Sequence, residues 1–169
     1  MTAPIQILVG DAHGLNTLEY PPAKIAAIEG LWETERGSTS LNLFGWPDMQ
    51  REQTRFAVSV PHLGSVILTH SWNSEIRGLK EFAPEDRPNS TIVFWSFRIM
   101  VGMGMLMLLL GVLGLVLRRG QKIYEARWFQ RFALLMGPSG LIALLAGWIT
   151  TEVGRQPWVV AALARLANL

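Results

Sequence analysis

The stretch IVFWSFRIMVGMGMLMLLLGVLGLVL, residues 92–117, carries a single charge, Arg98, in 26 positions. About 20 apolar residues cover the ~30 Å hydrocarbon core of a bilayer at ~1.5 Å per residue, so this run predicts a transmembrane helix with length to spare for tilt. A second apolar run occupies residues 132–156, most strongly Phe132–Thr151, with Gly137-Pro138-Ser139-Gly140 predicting a kink near its start. Between them lies a basic connection, residues 118–131, holding Arg118, Arg119, Lys122, Arg127 and Arg131 against Glu125 alone. By the positive-inside rule this connection is cytoplasmic. Residues 1–91 and the segment from Glu152 onward, with the tail, 157–169, then belong to the opposite side.

The 169-residue chain divides at the first run. Residues 1–91 hold seven Lys/Arg and eleven Asp/Glu, and the remainder eight and two. An acidic front joined to a basic membrane part lacks the basic folded patch that nucleic-acid binding requires. With no cysteine, disulfides, thiol catalysis and cysteine-held metal sites are excluded. No basic n-region followed by an apolar core opens the sequence, so export of residues 1–91 is expected to depend on something upstream.

Within the front segment, Pro21-Pro22 opens a helix whose apolar face is Ile25, Ile28, Leu31 and Trp32, expected to end near Glu35. Residues 41–91 are broken by Gly45, Pro47, Pro61, Gly64, Gly78, Pro84 and Pro88. They read as loop-rich, with short extended pieces at Phe56–Val60 and Leu63–Leu68 and a turn or short helix at Ile76–Phe82. The fold class expected is mostly α: a membrane protein with two transmembrane helices after a loop-rich extracytoplasmic segment bearing one amphipathic helix.

Several charged residues have two readings each. Arg98 lies roughly 9 Å into the first span, where a charge is either functional or snorkels to the headgroups. Trp148, Glu152 and Arg155 share a helical face at i, i+4 and i+7, as an interfacial anchor or as a site where an acid holds a proton or a metal. Lys24 and Glu29, five apart, point about 140° from one another on a regular helix and read by spacing as two solvated charges. Met100, taken alone, reads as packing. His13, His62 and His70 lack metal-ligand spacing.

Three segments together carry a resemblance. Gly10-Asp11-Ala12-His13-Gly14-Leu15-Asn16-Thr17-Leu18-Glu19-Tyr20 with Pro22-Ala23-Lys24-Ile25-Ala26-Ala27-Ile28-Glu29-Gly30 resembles the quinol-binding loop of the cytochrome bd oxidase large subunit. Phe94-Trp95-Ser96-Phe97-Arg98-Ile99-Met100-Val101-Gly102 resembles the start of the helix after that loop. Ala146-Gly147-Trp148-Ile149-Thr150-Thr151-Glu152-Val153-Gly154-Arg155-Gln156-Pro157-Trp158 resembles a further signature of that family. The loop is short, as in the cyanide-insensitive branch.

The resemblance implies a role for each residue. Lys24 and Glu29 match loop residues of quinol binding and oxidation. Met100 matches an axial ligand of the low-spin haem b, and Arg98 the arginine beside it. Glu152 matches an iron ligand at the high-spin haem b and haem d pair, Trp148 a tryptophan between haems, and Arg155 an arginine near propionates. It also implies a bacterial inner-membrane oxidase that takes electrons from ubiquinol or menaquinol and reduces O₂ to water, completed by the rest of the large subunit and a second subunit. The sequence departs from the pattern at Pro21 (usually Gln), at Leu31 (usually His) and after Val160. No counterpart of the helices bearing the haem histidines is present, so the chain matches a C-terminal fragment of that subunit. The rival expectation is a catalytically inert or assembly-serving two-span membrane protein. A transporter reading finds no repeat and no pair of broken helices.

Overall fold

The computed structural model describes residues 22–34, 39–69, 76–120 and 123–155. The Gly10–Tyr20 motif, Pro21, His13, His70, Lys122, Gln156-Pro157-Trp158 and the tail lie outside the described residues. In chain order the elements are helix α1 (Pro22–Glu29), strands β1 (Leu41–Asp48) and β2 (Gln53–Val60), helix α2 (Leu63–Thr69), two 3-10 turns (Leu79–Glu81 and Pro84–Asp86), and helices α3 (Ser90–Arg119), α4 (Arg127–Leu135) and α5 (Ser139–Arg155). Two stretches of helix, Pro84–Arg119 and Arg127–Arg155, are long and apolar enough to cross a membrane. The fold is therefore mostly helical, with a small sheet in the front segment. The chain forms two compact units: one holds the described residues up to Trp95 together with those from Ile149, and the other is Ser96–Trp148.

The first unit is built around α1. Ala23, Ile25, Ala26, Ala27 and Ile28 are buried with Leu31, Trp32, Ile76, Leu79, Val93 and Phe94. Each large apolar side chain so buried contributes roughly 1.5–3 kcal/mol. The helix stops at Glu29, six residues before the expected end. Gly30 takes a left-handed φ of +64°. The Leu31 amide then reaches back to the Ala26 carbonyl (2.9 Å) and the Gly30 amide to Ala27 (3.3 Å), a Schellman ending that turns the chain away while Leu31 and Trp32 stay buried.

β1 and β2 form an antiparallel hairpin with irregular register on either side of Phe44. Phe56–Val60 is extended as expected, but its partner Leu41–Asp48 was masked by two breakers, Gly45 and Pro47. Asp48 closes the turn, its carboxylate accepting from the Gln50 (3.0 Å) and Arg51 (3.2 Å) amides. Leu63–Leu68, expected to be extended, is helical instead. The reason is tertiary: Ser65 is buried, its Oγ accepts from the Thr39 amide (2.6 Å), and its own amide donates to the Thr39 carbonyl (3.2 Å). The turn expected within Ile76–Phe82 is the 3-10 turn at Leu79–Glu81.

α3 starts where Asn89 Oδ1 accepts from the Ile92 amide (3.2 Å). Its 30 residues make it about 45 Å long, enough for a tilted span. Most of its apolar side chains in the second unit are exposed, among them Met105, Leu115 and Val116, which leaves them for lipid or further helices. The run from Arg127 is broken at Met136–Pro138, where Pro138 lacks an amide proton and Ser139 Oγ donates to the Met136 carbonyl (2.6 Å). That break falls on the expected Gly137-Pro138-Ser139-Gly140 kink. Arg127 and Arg131 lie on α4, and Arg118 and Arg119 close α3, so helix ends carry much of the basic cluster.

Candidate functional site

The first unit brings together residues that the sequence offers in two separate groups. Lys24 and Glu29 are not solvated charges: Lys24 is 7% exposed and Glu29 is 2% exposed. Lys24 lies against the last turn of α5, where the bare backbone of Gly154 meets its methylenes. Burial holds the Lys24 ammonium below its ordinary value of 10.5; the Arg155 guanidinium pushes the same way and the Glu152 carboxylate opposes them. Lys24, Glu152 and Arg155 thus form one electrostatic group. Glu152 and Arg155 are themselves exposed.

Glu29 sits at the end of α1, and that end is fixed from three sides. The last carbonyls of a helix lack intrahelical partners. Here Asn42 Nδ2 donates to the Glu29 carbonyl (2.8 Å), Thr54 Oγ1 to Gly30 (2.6 Å) and Ser90 Oγ to Ala27 (3.2 Å). A hollow of about 370 Å³ opens against Gly30, Asn42 and Thr54, with Trp32, Arg51 and Lys80 also on its wall. Its size is at the low end for small-molecule sites. Asn42, Thr54, Ser90 and Gly154 escaped the sequence reading. Only Gly154 left a signal there, as the glycine inside Glu152-Val153-Gly154-Arg155.

The second unit holds Met100, Arg98 and Trp148. Met100 and Arg98 are half-buried on α3, and Trp148 is exposed on α5. The Met100 sulfur lies against the α5 backbone, 2.9 Å from where a Cβ of Gly147 would stand. As a haem site these residues fit in part. A thioether, a carboxylate (Glu152) and two guanidiniums (Arg98, Arg155) are the donor and cation types that bind haem iron and propionates. Among the described residues no cluster of three His, Cys, Asp or Glu could hold a metal ion. His62, the one described histidine, is exposed in the first unit. Side-chain types suited to iron and propionates are thus present in both units, and among the described residues no histidine accompanies those of the second.

The sequence pattern of the cytochrome bd terminal oxidase subunit I family matches residues 1–169. The chain is 33% identical over 170 residues to cytochrome bd ubiquinol oxidase subunit 1 of Bacillus subtilis (strain 168), covering 95% of this chain and 36% of that protein. It is 29% identical over 217 residues to cytochrome bd-II ubiquinol oxidase subunit 1 of Escherichia coli (strain K12), covering 90% of this chain and 42% of that protein. The structure of bd oxidase from Geobacillus thermodenitrificans superposes with a TM-score of 0.78 at 30% identity, over 94% of this chain and 36% of that one. The chain belongs to the cytochrome bd terminal oxidase subunit I family, a family of membrane proteins for which haem cofactors and partner subunits are implied. It spans roughly 36–42% of the length of these relatives.

Proposed function

We propose that the chain supplies the quinol-oxidising loop and one face of the haem site in a quinol:oxygen oxidoreductase of the bacterial inner membrane. The observation that carries this reading is the burial of Lys24 against the Glu152–Arg155 turn, inside one compact unit. The loop helix thereby docks on the segment assigned to haem, which is the arrangement electron transfer from quinol requires.

Quinol oxidation releases two electrons and two protons per molecule. Glu29, nearly dry at the end of a helix whose carbonyl end is held, would take one proton as a general base. The Lys24 ammonium, desolvated and held by its stem, donates a strong hydrogen bond to a quinol oxygen. Haem b and haem d, if bound, would supply the redox chemistry that carries the electrons to O₂ and reduces it to water. Met100 and Glu152 would each hold a haem iron, a thioether favouring the reduced metal. Arg98 and Arg155 would compensate propionate charge, and Trp148 would pack against haem. The basic connection, read as cytoplasmic, supports a quinol site on the outer face, where the protons would be released. The remainder of the large subunit and the second subunit complete the complex, the substrate is ubiquinol or menaquinol, lipid covers the spans, and nucleic acid has no part.

Glu29→Ala in the assembled complex is expected to slow quinol oxidation while leaving the haem spectrum intact. Wild-type turnover in that variant removes the quinol role. The rival reading is an inert or assembly-serving two-span protein, and haem accompanying the chain would exclude it.

A further inference from the structure

Gly154 is buried in the last turn of α5. A Cβ there would lie 3.0 Å from Cγ, 3.2 Å from Cδ and 3.1 Å from Cε of Lys24. Three consecutive methylenes of the lysine therefore run along bare backbone. A clash with the tip of a side chain is relieved by swinging the tip away. A clash along the stem moves the whole side chain. The helix that carries Lys24 has little room to yield, because Ser90, Asn42 and Thr54 hold its carbonyl end.

We propose that Gly154 is a positioning residue for quinol oxidation: the absence of a side chain at 154 forms the seat that fixes the Lys24 ammonium where it meets the quinol. The inference rests on the quinol reading of Lys24. The seat belongs to the same turn as Glu152 and Arg155, so it also sets which charges the ammonium meets. Lysine is rich in rotamers, and a seated stem has already lost that freedom before substrate arrives, which is how preorganisation improves binding.

The test is a four-protein cycle in the assembled oxidase in native membranes: wild type, Gly154→Ala, Lys24→Ala and the double variant. KM and kcat are read with a soluble ubiquinol analogue and, in parallel, a naphthoquinol. The dithionite-reduced haem spectrum reports assembly independently. Gly154→Ala is expected to raise quinol KM about tenfold with an unchanged spectrum, a displacement of a few tenths of an ångström being enough. In the Lys24→Ala background the same substitution should add nothing, because no stem remains to displace. An equal penalty in both backgrounds overturns the seat, as does a harmless Gly154→Ala beside a damaging Lys24→Ala. If Gly154→Ala fails to assemble, restored assembly in the double variant supports the seat and failure in both backgrounds overturns it. A wild-type KM in Lys24→Ala overturns the quinol reading itself, a result distinct from failure of the seat alone.

Discussion

Gly30→Ala should loosen the end of α1 by an amount the structure allows to be worked out. Gly30 has φ +64°, and a left-handed conformation costs a residue with a Cβ roughly 1–2 kcal/mol. The added carbon would also meet Phe94 Cδ2 and Thr54 Oγ1 at 3.1 Å and Phe94 Cε2 at 3.3 Å. Phe94 is fully buried, so relief requires repacking, which typically costs about 1–3 kcal/mol. Together the substitution should destabilise this end by about 2–5 kcal/mol. Hydrogen exchange by mass spectrometry on the peptide covering residues 22–34 reads this locally. At tenfold per 1.4 kcal/mol, its protected amides, including the Leu31 amide bonded to Ala26, should exchange roughly 30- to 4,000-fold faster. Amides in the middle of α3 should be unaffected. Unchanged protection in 22–34 would refute the reasoning that Gly30 is required by both conformation and close approach.

Other substitutions probe separate parts of the molecule. Met100→Leu in an assembled complex should abolish the low-spin haem b signal, and a preserved signal removes Met100 as an iron ligand. Lys24→Met keeps the stem and removes a buried charge, so the variant should be at least as stable as wild type at pH 7 in thermal melts. Because the folded value for Lys24 is lowered, the unfolded chain binds more protons between that value and 10.5, and wild-type stability rises with pH across this window. The gap should therefore narrow as pH approaches 10.5, and a gap that widens contradicts the sign. Arg87 donates to Glu52 Oε1 (2.7 Å) and to the Phe82 carbonyl (2.8 Å) from a largely buried position. Arg87→Ala should cost roughly 2–3 kcal/mol in denaturant unfolding, and a loss under 0.5 kcal/mol would show the contacts to be incidental.

The two spans are legible in the sequence because lipid imposes one rule on every residue of a run, and Ile92–Leu117 obeys it almost without exception. The kink at Gly137-Pro138 is legible for an equally local reason, a missing amide proton. What the sequence hides depends on partners distant in the chain. Leu63–Leu68 has an extended composition, yet Thr39, 26 residues before Ser65, supplies the bonds that make it a helix. Leu41–Asp48 pairs with β2 despite Gly45 and Pro47 because Asp48 closes the turn between them. The site shows the same division. Periodicity makes Lys24 and Glu29 look like opposite solvated faces of a helix, and spacing alone has no means of showing that α5 covers one and the hairpin and α3 fasten the carbonyl end of the other. Gly154 has no side chain from which chemistry could be read, so its part is visible only as a distance.

The measurement that bears most directly on the assignment is a reduced-minus-oxidised absorption spectrum of the chain, tagged and purified from its native membranes with whatever polypeptides accompany it. Bands of haem b and haem d are expected, with further iron ligands supplied by accompanying helices. A featureless spectrum from folded, membrane-inserted protein would contradict the oxidase assignment and leave the chain an inert two-span member of its family.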